Sequence, residues 1–191
     1  MNKKRLIHTL VLSVLAVICA VALYFRTYPI KLNLVTLDWQ VIREVKFEDE
    51  SAPDVKFLGT GVTIDRKEWY LISLNGQFGY ASFEQGPLGR HRLRNVGYGD
   101  GSFANGIIES NGKKYLLFSG LDSGGAIDKI TVEVQSFTYD LFPGKSRLFL
   151  TFCEVDPNIK VQNVNLFDIT FYDKAGDDIT SDYELSSGRI Q

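Results

Sequence analysis

Arg90, Arg92 and Arg94 alternate with His91 and Leu93 in the run Gly89-Arg90-His91-Arg92-Leu93-Arg94. A strand sends every second side chain to the same face, so this spacing predicts three guanidinium groups side by side. Planar forks of N–H donors match the oxygens of phosphate and carboxylate groups. Outside a cell the ligands for such a face would be anionic wall polymers, lipid head groups or an acidic protein partner. The plain alternative is a solvated edge strand whose charges guard it against pairing with other edges.

Other chemistries find fewer residues to work with. His91 is the only histidine beyond the first 25 residues, which bounds every triad or zinc arrangement at once. A Cys153 nucleophile would need His91 beside it in space. But Cys153 lies in RLFLTFCEV, a core-like run in which a thiol acts as a small apolar side chain. Zinc wants three or four His, Cys or acidic ligands, and the inventory falls short. Asp173, Asp177, Asp178 and Asp182 bunch near the end of the chain, and loop carboxylates are what calcium takes. Their spacing is not that of a helix-loop-helix calcium site, and Asp- and Gly-rich turns look the same. Glu84, Asp100 and Asp122 are the acids open to a histidine-free hydrolase, which needs two facing carboxylates. The glycine-rich tract from Gly97 to Gly106 lacks the strand, helix and lysine context of a phosphate loop, and reads as a connection between strands. The expectation is a binding or sensing domain rather than an enzyme, with no cofactor.

Charge narrows the partners. Four of the 21 Lys and Arg residues, Lys3, Lys4, Arg5 and Arg26, flank an apolar segment, leaving 17 cations against 23 anions beyond it, a net of −6. Nucleic acid demands many cationic phosphate contacts, so it is not an expected partner.

The apolar segment is Leu6 to Phe25, LIHTLVLSVLAVICAVALYF, without an acid or a Lys or Arg. As a helix rising about 1.5 Å per residue it would cross a bilayer core of about 30 Å. Lys3, Lys4 and Arg5 precede it and only Arg26 and Lys31 follow closely, so the positive-inside bias predicts the N-terminus inside and everything after Arg26 outside. Tyr24 and Tyr28 then fall at the outer interface, where amphipathic rings settle. Ala20-Val21-Ala22 keeps a second route open, cleavage near Ala22 and secretion. Cys19 as a lipid-modified cysteine is disfavoured by the bulky Ile18 before it. Ala16 and Ala20 form a small-xxx-small pair that would let two helices approach, although alanine is common in any spanning helix. The expected plan is a basic cytoplasmic tail over 1–5, an anchor over 6–25, a membrane-proximal linker over 26–54 and a β domain over 55–191. In that linker Leu34, Leu37, Val41 and Val45 recur at helical steps, while Leu37, Trp39 and Val41 also fit a strand.

Beyond the linker the pattern is that of strands. Asn75-Gly76 between Trp69–Leu74 and Phe78–Phe83, and Asn111-Gly112 between Gly106–Glu109 and Lys114–Ser119, predict two hairpins, because both residues of each pair tolerate positive φ. Val55–Ile64 reads as a strand interrupted by Gly59 and Gly61. Lys129–Leu141 reads as one strand with Ile130, Val132 and Val134 on its buried face, ended by Pro143-Gly144. Arg147–Val155 reads as buried on both faces, and Asn163–Asp173 and Asp178–Leu185 as the last strands. The fold class expected is mainly β, an antiparallel meander or sandwich with a short helix, preceded by one transmembrane helix.

Trp69-Tyr70-Leu71-Ile72, Phe78-Gly79-Tyr80, Gly86-Pro87-Leu88-Gly89-Arg90 and Asn111-Gly112-Lys113-Lys114-Tyr115 with Ser119-Gly120 give the chain a resemblance. It resembles small single-pass extracytoplasmic proteins of Bacillus-type Gram-positive bacteria over most of the β domain. These are structural residues, so the resemblance implies location and fold and carries no activity. A membrane-anchored domain that binds or senses something at the cell envelope is the leading expectation. An envelope hydrolase or an accessory subunit of a membrane complex competes with it.

Overall fold

The computed structural model describes residues 3–31, 55–65, 67–98, 101–162, 164–165 and 168–183. One helix, α1 (Lys3–Thr27), opens the chain. Leu10 and Leu12 are each 66% exposed, and Val17 is 62% exposed, so this apolar surface finds no cover in the β domain. The stretch Ile7–Thr27, 21 residues, is long and apolar enough to cross a membrane. It is a candidate membrane anchor.

Among the described residues, eleven strands follow in three antiparallel sheets. The first sheet orders β1 (Ile30–Lys31), β5 (Arg90–Tyr98), β4 (Gln77–Gln85), β3 (Lys67–Leu74) and β2 (Val55–Ile64). The second orders β10 (Leu148–Val155), β7 (Lys113–Leu121) and β6 (Phe103–Ser110). The third orders β11 (Ile169–Tyr172), β8 (Lys129–Val134) and β9 (Phe137–Leu141). The mainly β expectation holds, as a stack of three sheets.

The middle sheet is apolar on both sides because it has a neighbour on both sides. Along β7 the side chains alternate between two cores. Leu116 and Phe118 pack with Phe103, Ile130, Val132 and Phe171 toward the third sheet. Tyr115 and Leu117 pack with Trp69, Leu71 and Tyr80 toward the first. A third core, with Ile72, Leu74, Ala81 and Phe83, covers the outer face of the first sheet. The alternation of a half-buried strand is thus replaced in β7 by a continuous apolar run.

Both Asn-Gly turns form, with Asn75 and Asn111 at φ 50° and Gly76 and Gly112 at φ 84° and 75°. The glycine-rich tract is partly strand: Gly97 and Gly106 flank Tyr80, and a Cβ at Gly106 would lie 2.2 Å from the Tyr80 hydroxyl. Those glycines admit a ring between sheets rather than a ligand. Burial pushes the Tyr80 hydroxyl up to about 12.

Four expectations change. Lys129–Leu141 is two strands, β8 and β9, paired as a hairpin in which Val134 faces Phe137. The turn uses Gln135 at φ 59°, a residue that carries no turn signal of its own. β10 is an edge strand, buried at Phe149 and Leu150 but open at Phe152, so its both-faced burial covers only its first half. After β11 the chain makes one bridge, Tyr172 to Asp178, and a 3-10 turn at Thr180–Asp182 instead of a further strand. Within the expected linker, Ile30 is fully buried and pairs with His91, so sheet structure begins before residue 55. The helical pattern between Leu34 and Val45 lies outside the described residues.

Candidate functional site

The arginine face assembles where α1 meets the first sheet. Only Tyr28 and Pro29 separate the helix from β1, and β1 lies along the start of β5, with Lys31 opposite Arg90. The last carbonyls of a helix lack intrahelical partners, and cations are favoured there. Arg90 supplies both needs: its Nε donates to the Tyr28 carbonyl at 2.7 Å, and its guanidinium donates to the Pro29 carbonyl. The same group lies 4.8 Å from the Phe25 ring centroid, a cation–π contact.

Arg92 and Arg94 share one carboxylate. Glu84 stands opposite Arg92 in the β4–β5 ladder. Arg92 donates to Glu84 Oε1 at 2.8 Å, and Arg94 donates through Nε to Oε2. The hydrogen bond from Arg92, with the help of Arg94, holds the Glu84 carboxyl below its ordinary range against the opposing effect of burial. Arg92 also lies 5.2 Å over the Tyr28 ring. Of the three arginines, Arg94 has the most open side chain of the Glu84 pair, at 41% exposure. So the three arginines do gather, but Arg90 clamps backbone and the other two divide one anion.

The β4–β5 turn completes the junction. Tyr24 donates its hydroxyl to the Pro87 carbonyl. Gly86 lies flat against the Tyr28 ring, where a Cβ would come within 2.4 Å of Cδ1. His91 is buried with neither ring nitrogen hydrogen-bonded, and Glu68 Oε1 stands 3.7 Å from its Nε2.

A cleft lies on the loops that follow β7, β9 and β11. Arg90 to Tyr98 runs roughly 26 Å along the strand, and Phe78, at the far end of β4, donates its backbone N–H to the Gly101 carbonyl. The chain then enters β6, and Leu121 N donates to Ser102 O at 2.9 Å at the end of β7, where the loop beginning at Asp122 leaves the second sheet. There the cleft of about 630 Å³ opens, lined by Asp122, Asp128, Phe142, Lys145, Asp173 and Lys174 among others. Phe142 is 63% exposed at its rim. Its mixture of an open ring, lysines and acids was not visible in sequence, because three separate loops contribute.

The acids weighed for catalysis and calcium are engaged. Asp122 accepts from Gly125 N at 2.8 Å, Ile127 N at 2.9 Å and the Tyr183 hydroxyl at 2.6 Å. Burial alone would raise its carboxyl; the Tyr183 hydroxyl and the two amides outweigh that and hold it below its ordinary range. Asp173 accepts from Ala175 N and Asp177 N, and Asp178 from Thr180 N. Among the described residues no group of three or more His, Cys, Asp or Glu side chains could hold a metal ion, so Asp173, Asp177 and Asp178 do not converge. Asp100 lies outside the described residues. Cys153 stands opposite Leu116 in the second sheet, away from His91 in the first. Burial pushes its thiol up to about 11, which keeps it protonated and unreactive.

Comparison of the chain with protein-family models, with curated proteins and with solved structures gave no match. The functional reading therefore rests on the residues themselves.

Proposed function

We propose that this chain is a single-pass membrane protein whose β domain faces outward and binds a component of the cell envelope, with the cleft as its recognition face. The observation that carries this reading is the two-residue connection at Tyr28 and Pro29, which joins an exposed apolar helix directly to the first sheet, while the cleft is built by the loops after β7, β9 and β11. The open Phe142 ring with Lys145 and Lys174 offers contacts to an anionic polymer or an acidic protein segment, and Asp128 and Asp173 in the same lining call for cationic groups beside those anions. Lys3, Lys4 and Arg5 ahead of the helix support the outward orientation.

The hydrolase reading asks for a free carboxylate pair. Glu84 is tied to Arg92 and Arg94, and Asp122 to a hydroxyl and two amides. Neither is placed as a poised acid or base.

The test uses the full chain reconstituted in vesicles and sedimented with purified Gram-positive cell-wall fragments that retain their anionic polymer. The expected result is salt-sensitive co-sedimentation, reduced at least tenfold by Phe142→Ser with Lys145→Ser. Equal retention by that variant would remove the cleft from the proposal. Absence of both wall binding and any cross-linked envelope protein would sink the binding reading.

A further inference from the structure

The β4–β5 turn presents a side chain that the fold itself does not use. Leu88 is 89% exposed, and it sits in the left-handed region at φ 60°, ψ 23°. An L residue with a Cβ is strained in that conformation, and a single exposed leucine would ordinarily pass without comment. Its location gives it meaning. The turn is held against the last turns of α1, by the Tyr24 hydroxyl on the Pro87 carbonyl and by the Gly86 backbone on the Tyr28 ring.

Side chains on a helix lean toward its N-terminus. Tyr24 is three residues before the helix end at Thr27, and its hydroxyl therefore reaches back along the apolar segment. The Pro87 carbonyl that meets it stands at the level of the final apolar turn, and Leu88 follows directly. Pro87 fixes its own φ and offers no N–H to be desolvated. Gly89, at φ 68°, returns the chain to β5. Beside the same turn, Arg90 lies over the Phe25 ring and Arg92 over the Tyr28 ring, at the end of the apolar segment.

We infer that the Gly86–Gly89 turn is a second membrane contact, which places Leu88 at the boundary between lipid head groups and acyl chains beside the anchoring helix. The inference rests on the reading of α1 as a membrane anchor. Burial of the leucine side chain there takes apolar surface out of water, which offsets the backbone strain at Leu88. The occupant is the bilayer, because the turn is fixed to the very helix that crosses it. In this arrangement the domain stands down on the lipid surface.

The experiment places the full chain carrying Leu88→Trp in vesicles of phosphatidylcholine and phosphatidylglycerol, some brominated at an upper acyl position. Phe142→Trp, in the cleft, serves as the comparison. The expected outcome is that the Leu88→Trp signal, above the background of Trp39 and Trp69, is quenched by the brominated lipid and shielded from iodide. The Phe142→Trp signal should behave in the opposite way. Iodide quenching of Leu88→Trp equal to that of Phe142→Trp, with no effect of bromine, overturns the inference while leaving the anchor intact. Failure of the unaltered chain to float with vesicles overturns the anchor reading and the inference together. A photoactivatable lipid with its carbene at the upper acyl level tests the unaltered chain: adducts on the peptide containing Leu88 support the contact, and adducts confined to α1 refute it.

Discussion

Arg90 differs from its two neighbours in what it touches, and that difference can be measured. Its guanidinium serves two carbonyls at the helix end and the face of Phe25, while Arg94 adds a second cation to a carboxylate that Arg92 already holds. Hydrogen bonds from charged donors are worth about 1.5–3 kcal/mol, and half-exposed ion pairs about 0–1 kcal/mol. Arg90→Ala is therefore expected to destabilise the full chain by about 2 kcal/mol and to speed amide exchange at Ile30. Arg94→Ala should cost no more than about 1 kcal/mol. Thermal melting in detergent checks both, and equal losses would contradict the separation of roles. Replacing all three arginines at once would strike the junction as well as any ligand, so Arg94→Ser is the cleaner probe of anion binding. The alternation of the arginines was legible in the sequence. Glu84 as their shared partner was not read there, although Gly86-Pro87-Leu88-Gly89 as a hairpin turn would have set it opposite Arg92.

At the scale of elements, turn chemistry decided what could be read. Asn75-Gly76 and Asn111-Gly112 announce themselves, because their side chains suit positive φ. Gln135 adopts the same region without the residue type that marks it, so β8 and β9 looked like one alternating strand. Glycine at that position removes the Cβ conflict of the left-handed region. Gln135→Gly should raise stability by about 0.5–1 kcal/mol, seen as a higher denaturant midpoint with an unchanged slope. A lower midpoint would mean that the Gln135 side chain holds the hairpin by a contact. β1 escaped notice for a different reason. Two residues are too short for periodicity, and only the burial of Ile30 against a sheet distant in sequence identifies them as a strand. The two-sided burial of β7 was likewise unreadable, since a continuous apolar run does not say which sheets will cover it.

For the molecule as a whole, acid is the informative perturbation. Asp122 and Glu84 have carboxyls lowered in the folded state, so the folded chain releases those protons more readily than the unfolded chain. Their contribution is present in full above the unfolded value, 3.8 for Asp122, and it is lost as pH falls through the lower folded value. The melting temperature should accordingly drop steeply on acidification below about pH 4. Asp122→Asn should lower stability near neutrality and flatten that drop, and a parallel profile for the variant would deny Asp122 its part. Asp122 also ties the Tyr183 region to the loop after β7, so acid should free the C-terminal end of the described chain first. The connection at Tyr28 and Pro29 carries a last consequence, for reach. A domain on a long flexible tether sweeps a wide volume, and its partners can be met at many heights. Here the stretch over 32–54 comes after β1, so it does not lie between helix and sheet. If α1 is the anchor proposed above, the swept volume shrinks, and a partner confined to the same membrane would have to bring its own binding segment to the domain.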